Sequence, residues 1–261
     1  MTTAPGVMLT AGMAILALMI VAWTISVITK DTSIVDIVWG LGFVLVAWVV
    51  NARADGNSGR RWLLVVLTSI WGLRLSGYLA KRNLGHGEDY RYRAMRRHYG
   101  PKFPIISFFT VFLLQGVLMF VVSLPVQLGQ VRRTPDVGVL GYIGAAVWLV
   151  GLGFEAIGDW QLAEFKSKPE SKGQVMDQGL WRYTRHPNYF GDACIWWGLA
   201  LIAAESGLGA IGFIGAIVMT VLLRRVSGVV MLEKTIGKRR AGYDEYIKRT
   251  SPFIPRPPRS A

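Results

Sequence analysis

Acidic residues and cysteine are scarce in this chain of 261 residues. Asp and Glu number 16 against 29 Lys and Arg, a net charge of +13, and Cys194 is the one cysteine. A single thiol excludes an intramolecular disulfide and a metal site made of cysteines alone. His86 and His98 are lone histidines without metal-ligand spacing, so we predict no metal site.

The chain also lacks the composition of a soluble domain. Hydrophobic residues make up 52% of it, yet the sequence pI is near 10.2. Basic loops between apolar segments explain that combination, and they are typical of integral membrane proteins. A basic charge can also indicate nucleic-acid binding. The cations here fall between apolar segments, so we expect no nucleic-acid partner and contact with membrane lipid instead.

Long apolar segments are abundant. The first has the length that a helix needs to cross a hydrocarbon core of about 30 Å. We expect it to be a membrane helix rather than a signal peptide, because no Lys or Arg precedes it and the next apolar segment follows almost at once. The seven predicted spans are Val7–Ile28, Ile34–Val50, Trp62–Ala80, Pro104–Pro125, Val137–Trp160, Tyr189–Ala204 and Leu208–Leu223.

These spans predict an all-α membrane bundle of about seven helices. No repeat, low-complexity segment or long linker divides residues 1–261, so we expect a single domain. Cations are concentrated in alternate loops and in the C-terminal tail, which by the positive-inside rule puts the N-terminus outside and the C-terminus in the cytoplasm. Close packing of the fifth span is predicted from its glycines, Gly141, Gly144, Gly151, Gly153 and Gly158.

The stretch 179–192 concentrates polar groups directly before an apolar segment. Pro187 tolerates helix after it and disfavours helix before it, so a helix should begin there. Asn188 and Asp192 would then lie on one face of its first turns. Polar groups held at a membrane boundary indicate a ligand that is itself polar at one end.

Trp181-x-Tyr183 followed by Asn-Tyr-Phe-Gly-Asp at 188–192 resembles the cofactor-binding signature of the steroid 5α-reductases, and most of all their bacterial members. The likeness extends from about residue 30 to the C-terminus. It implies a multi-pass enzyme of the bacterial plasma membrane. Such an enzyme uses NADPH to reduce the double bond of a 3-oxo-4-ene steroid, or of another lipid-like enone.

The resemblance also implies a cofactor site. Asp159 and Lys166 have the separation of the family's aspartate and arginine, which bind the adenine end and phosphates of the nucleotide. Basic side chains there would suit the additional phosphate of NADP(H). For Arg74 the alternative is an arginine that extends to the membrane interface. The residues expected to contact the cofactor are Arg74, Tyr78, Asp159, Lys166, Arg182, Tyr183, Arg185, Asn188, Asp192, Arg224 and Arg225.

A second expectation concerns the proton donor. When hydride reaches the β-carbon of an enone, negative charge develops on the ketone oxygen, and a donor aimed at it stabilises the transition state. Asp36 lies in an apolar segment, where a carboxylate must be paired or protonated, and the family has a glutamate nearby. We therefore expect Asp36 to be the neutral acid, unless it is a structural partner of another helix. Trp71 replaces the family's catalytic tyrosine, so Glu88 and Tyr90 are the alternative donors.

Two other functions fit parts of the sequence. Arg-His-Pro-x-Tyr at 185–189 and the ending Phe-Ile-Pro at 253–255 are similar to isoprenylcysteine-type membrane methyltransferases, which use S-adenosylmethionine. A non-catalytic lipid-binding protein would explain the spans but not the polar stretch. Asn188 with Asp192, and Asp159 with Lys166, favour the reductase.

Overall fold

The structure is a computed structural model that describes residues 3–226, 229, 233, 240 and 242–259. Helices are its regular elements, and these residues contain no β-strand, which confirms the predicted all-α class. A short helix, Tyr243–Arg249, lies near the C-terminus, and a π-helical segment, Phe108–Leu113, joins α5 to α6. The other helices are α1 Ala4–Thr29, α2 Ile34–Arg53, α3 Ser58–Asn83, α4 Tyr90–Tyr99, α5 Phe103–Ser107, α6 Leu114–Val122, α7 Leu124–Leu128, α8 Val139–Ser167, α9 Pro187–Ala204 and α10 Phe213–Val221.

Local signals set several helix ends. The side chain of Asn57 accepts the backbone N–H of Arg60 at 2.9 Å before α3, and Asp89 accepts that of Arg91 at 2.9 Å before α4. Each side chain satisfies a donor that the first turn of a helix leaves unpaired. α4 ends at Gly100, whose φ of +53° favours glycine.

Six helices of the described chain are long and apolar enough to cross a membrane, as in a multi-pass membrane protein. They are Ala4–Thr29, Ile34–Arg53, Ser58–Asn83, Tyr90–Val122, Val139–Ser167 and Leu208–Val226. The predicted count of seven is not confirmed. α9 corresponds to the remaining prediction and is helical as expected, but Asn188 and Asp192 make its first turns polar.

The chain groups into two compact units. Unit 1 comprises Met1–Gly141 and Ala200–Gly215, and unit 2 comprises Tyr142–Leu199 and Ala216–Ala261. In unit 1, α2 and α3 touch backbone to backbone, because a Cβ on Gly40 would lie 2.4 Å from the carbonyl oxygen of Gly72. The ring of Trp71 is buried there against Phe43, at 5.5 Å between centroids. Whether residues 1–261 form a single domain stays a prediction.

In unit 2, glycines hold α8 against α9. A Cβ on Gly151 would lie 2.6 Å from the carbonyl oxygen of Gly191, and one on Gly198 would lie 2.6 Å from that of Gly144. A Cβ on Gly158 would meet Pro187 at 3.1 Å. The predicted close packing is therefore confirmed at Gly144, Gly151 and Gly158, but not at Gly153, where a Cβ would meet nothing within 4 Å. This packing aligns the end of α8 with the first turns of α9, where the central polar residues lie.

Candidate functional site

Asp36 lies in the first turn of α2, in unit 1, and both of its oxygens accept hydrogen bonds. Nη2 of Arg91 donates to Oδ2 at 2.8 Å, and the hydroxyl of Tyr92 donates to Oδ1 at 3.0 Å. Arg91 also donates from Nε to Oδ1 of Asp89 at 2.9 Å. One guanidinium is thus shared by two carboxylates, and α4 is fastened to the start of α2.

A second ion pair lies beside the first. Arg96 donates to both oxygens of Glu88, at 2.7 and 3.0 Å, and the backbone N–H of Thr32 donates to Oε1 at 2.9 Å. Burial raises the pKa of Glu88, but these hydrogen bonds outweigh burial and leave the pKa below its usual value of 4.5. Glu88 is therefore a carboxylate committed to Arg96 rather than an available acid.

We call the side chains of Asp36, Glu88, Asp89, Arg91, Tyr92 and Arg96 the Asp36 cluster. It sets two guanidinium groups against three carboxyl groups, so one negative charge lacks a cationic partner within it. The third expected donor, Tyr90, lies outside the cluster with 61% of its surface exposed. Arg91 and Tyr92 as partners of Asp36, and Arg96 as the partner of Glu88, are contacts that the sequence did not assign. Sequence spacing could not reveal the contact between Arg91 and Asp36, since the two residues are 55 positions apart.

Arg74 and Tyr78 also belong to unit 1, on α3. The guanidinium carbon of Arg74 lies 5.8 Å from the centre of the Tyr78 ring, as expected for residues four apart on one helical face. Both side chains are half-buried. Their role in cofactor binding stays a prediction.

In unit 2 the structure brings together Asp159 and Asn188, two of the residues expected to contact the cofactor. Nδ2 of Asn188 donates to Oδ1 of Asp159 at 3.2 Å. Asp159 is buried, with 4% exposed, and Asp192 follows Asn188 by one turn on α9. Glu155, one turn before Asp159 on α8, is buried as well and was not singled out by its sequence context. Polar side chains from two helices therefore meet beside the glycine contacts.

Arg185 is buried, with 7% exposed, and its donors are largely used within unit 2. Nε and Nη2 bind the two oxygens of Glu233 at 2.8 and 3.1 Å, while Nη1 donates to the carbonyl oxygens of Thr250 and Ile247 at 2.7 and 3.1 Å. Nε2 of His186 lies 3.0 Å from the same carboxylate. We call these groups the Arg185 clamp. Four of the five N–H groups of the guanidinium are engaged, which gives Arg185 a structural role beside its predicted contact with the cofactor.

The clamp lowers the pKa of Glu233. Burial alone would raise it, but hydrogen bonds and charge from His186 and Arg185 prevail. Nearby, Thr184 donates to the carbonyl oxygen of Phe253 at 2.8 Å, and Tyr246 donates to that of Trp181. The central stretch and the C-terminal segment therefore hold each other in place.

The remaining predicted cofactor residues of unit 2 are more exposed. Tyr183 is 43% exposed. The exposed cations among them are Lys166, Arg182, Arg224 and Arg225. The guanidinium carbon of Arg224 lies 5.4 Å from the centre of the Phe253 ring, which is itself part of the C-terminal segment. These side chains have the chemistry to bind phosphate oxygens.

A cleft of about 210 Å³ opens beside the end of α8. Its lining combines aromatic, thioether and amide groups: Trp160, Gln161, Glu164, Phe165, Lys168, Met176, Gln178 and Gly179. Gln161 is fixed there, because its Oε1 accepts the backbone N–H of Leu180 at 3.0 Å. The described residues contain no group of three His, Cys, Asp or Glu side chains that could hold a metal ion.

Comparisons with known proteins place the chain in a family. It is 26% identical over 215 residues to an uncharacterized protein of Schizosaccharomyces pombe, an alignment that covers 71% of this chain and 62% of that protein. The chain thus spans less than two thirds of that relative's length. No solved structure matches it. The model of the family described as "Protein of unknown function (DUF1295)" matches residues 22–250, so the chain belongs to the DUF1295 family.

Proposed function

We propose that this chain is an integral membrane reductase of the bacterial plasma membrane. It uses NADPH to reduce the carbon–carbon double bond of a 3-oxo-4-ene steroid or of another lipid-like enone. The hydrogen bond of 3.2 Å between Asn188 and Asp159 is the observation that carries the proposal. These residues come from two parts of the chain that resemble steroid 5α-reductases separately, and one nucleotide site needs both.

The side chains of unit 2 fit a dinucleotide phosphate. Lys166, Arg182, Arg224 and Arg225 are exposed cations. Asp159, Asn188 and Asp192 add acceptors and a donor for ribose hydroxyls and for the base. The cleft beside α8, at about 210 Å³, is smaller than the roughly 300 Å³ at which sites for whole drug-sized ligands begin. Its size suits a base rather than a dinucleotide.

A bound nicotinamide supplies the hydride that the β-carbon of the enone accepts. The Asp36 cluster supplies the proton for the ketone oxygen, whose negative charge grows in the transition state. A proton on Asp36 would balance the three carboxyl groups of the cluster against its two arginines. With Asp36 protonated, the hydrogen bond of 3.0 Å between the two groups reverses, and the carboxyl donates to the hydroxyl of Tyr92. Tyr92 then passes its own hydroxyl proton to the ketone oxygen and takes the proton of Asp36, so no phenolate forms. Arg91 then stabilises the carboxylate that remains.

Release of small molecules from the purified protein tests this function. Protein isolated without additives is denatured, and the supernatant is analysed by mass spectrometry. We expect NADP(H), in smaller amounts from Asn188→Ala and Asp192→Ala than from the parent, because each substitution removes a hydrogen-bonding group from the site. Ser167→Ala, which removes an exposed hydroxyl at the end of the same helix α8, should release as much as the parent.

The methyltransferase is the second candidate, since the Arg185 clamp contains the Arg-His-Pro-x-Tyr motif that resembles those enzymes. Recovery of S-adenosylmethionine without a nicotinamide nucleotide would decide for it and against the reductase.

We further propose that α9 is a seventh crossing, with the N-terminus outside and the C-terminus in the cytoplasm. The support is the positive-inside rule applied to the loops. Reporter fusions after Val50 and Pro125 should behave as exported, and a fusion after Ala261 as cytoplasmic. The reverse pattern would overturn the orientation, and an exported C-terminal fusion alone would remove the seventh crossing.

A further inference from the structure

The helix α4 divides its four arginines between two surfaces. Arg91 and Arg96 point into the Asp36 cluster, where carboxylates bind them. Arg93 and Arg97 are exposed, and in the described part of the chain neither side chain has an ion pair or a hydrogen bond. Tyr90 precedes Arg93 by three residues and Arg97 by seven, so all three lie on one helical face. We call Tyr90, Arg93 and Arg97 the outer face of α4.

The acidic side chains of the loop directly before α4 do not neutralise the outer face. The two carboxylates of the preceding loop, Glu88 and Asp89, are committed to Arg96 and Arg91. The hydrogen bonds from those arginines outweigh burial and keep the pKa of each carboxyl below its usual value, so both are charged at neutral pH. Arg93 and Arg97, four residues apart, repel each other on the helix surface.

Helix electrostatics explain only one of the two exposed arginines. Arg97 lies in the last turn of α4, where the helix dipole stabilises a cation. Arg93 lies in the first turns, near the end of the helix that favours anions instead. An external anion shared by Arg93 and Arg97 would relieve both the dipole and the mutual repulsion.

The position of α4 directly before a membrane span indicates which kind of anion Arg93 and Arg97 would bind. Three residues, Gly100–Lys102, separate it from Phe103, where the apolar part of a membrane span begins. The φ of +53° at Gly100 interrupts the α-helical backbone between the two. A short helix beside a span, with arginines and an exposed tyrosine on one face, has the composition of helices that lie in the headgroup layer.

We propose that the outer face of α4 binds the headgroup of an anionic phospholipid. Arg93 and Arg97 contact the phosphate, and the exposed ring of Tyr90 lies at the level of the headgroups. Arg93 and Arg97 have no part in the proposed reductase chemistry, so the lipid site does not depend on it. Its ligand is a phosphodiester in the membrane rather than a phosphate in solution.

Lipid retention tests the site. The purified protein is equilibrated with equal amounts of phosphatidylglycerol and phosphatidylcholine of identical chains, and bound lipids are counted by native mass spectrometry. The parent should prefer phosphatidylglycerol. Since each cation near an anionic surface contributes about 1 kcal/mol, Arg93→Gln with Arg97→Gln should lower that preference by about 30-fold. Arg93→Lys with Arg97→Lys keeps the charge and should keep most of the preference.

The matched control removes two exposed arginines elsewhere, Arg132→Gln with Arg259→Gln, and should behave as the parent. Circular dichroism checks that all three variants fold. An unchanged preference in the Arg93→Gln, Arg97→Gln variant would overturn the proposal, and so would an equal loss in the control. Displacement of the lipid by excess inorganic phosphate at constant ionic strength would show a site for soluble phosphate and would overturn the lipid assignment.

Discussion

The Asp36 cluster and the Arg185 clamp both place charged side chains in sheltered positions, but they differ in the ratio of carboxyl groups to basic groups. Three carboxyl groups share two arginines in the cluster. In the clamp, Arg185 and His186 share the one carboxylate of Glu233, and the other donors of the arginine go to carbonyl oxygens. A cluster with an excess of carboxyl groups can hold and release a proton. A clamp whose groups are satisfied can only hold the chain together.

The largest effect is expected from breaking the clamp. Arg185→Met should lower the free energy of unfolding by about 3 kcal/mol, because it leaves the half-buried carboxylate of Glu233 with His186 alone and two carbonyl oxygens without their donor. SDS titration of the protein in mixed micelles, followed by circular dichroism, measures this. Arg182 lies three residues earlier and is exposed, so Arg182→Met should have a free energy of unfolding close to that of the parent. Equal titration midpoints for the two variants would mean that the clamp is not structural.

Breaking the Asp36 cluster should affect turnover rather than folding. Asp36→Ala should reduce progesterone on the order of 100- to 1,000-fold more slowly, as the loss of one donor to a developing oxyanion does, while still binding NADPH. Asp36→Asn should retain part of the rate, because an amide can still donate. Tyr92→Phe should be as slow as Asp36→Ala, since it interrupts the relay.

The control for these rates is Asp55→Asn, which removes a carboxylate paired with Arg133 on the exposed surface. It should turn over at the parent rate. Asp36→Ala at the parent rate would make Asp36 a structural partner only and would leave Tyr90 as the donor to be tested.

Acidification should have the smallest effect of the three, and it tests the contribution of the clamp to the free energy of unfolding. The folded state lowers the pKa of Glu233, so its carboxylate stabilises the fold above the unfolded pKa near 4.5, and this contribution is lost as the pH falls through the lower folded value. The stability difference between the parent and Glu233→Gln should be constant from pH 7 down to about that value and then shrink. A difference that grows on acidification would contradict the pairing. The stability difference between the parent and Glu88→Gln should likewise shrink on acidification.

Hydropathy was enough to predict most of the helices. The first span was expected at Val7–Ile28 and is Ala4–Thr29, and the helix expected to begin at Pro187 does begin there. Long apolar segments and a proline act over a few residues, so they can be interpreted without knowing the rest of the fold. The fourth span was placed only from Pro104, since α4 is too polar to register as apolar.

The candidate site was less predictable, because its contacts join distant parts of the chain. Nothing near Asp36 in sequence indicates that Arg91 and Tyr92, 55 and 56 residues later, bind its two oxygens. Asp159 and Asn188 were paired only through a resemblance to a known family. Arg185, expected to face the cofactor, has most of its donors engaged by the C-terminal segment, which no local pattern revealed.

The glycine contacts between α8 and α9 also bear on how the protein is made. α9 begins with Asn188 and Asp192, so this helix would enter a lipid bilayer alone at a considerable cost. α8 is synthesised first, and its Gly151 and Gly158 leave room for the backbone of α9 to approach closely. Asp159 then accepts the hydrogen bond of Asn188 as soon as the two helices meet. For α9 as the proposed seventh crossing, this order of synthesis predicts insertion as a hairpin, with the earlier helix as the template for the later one.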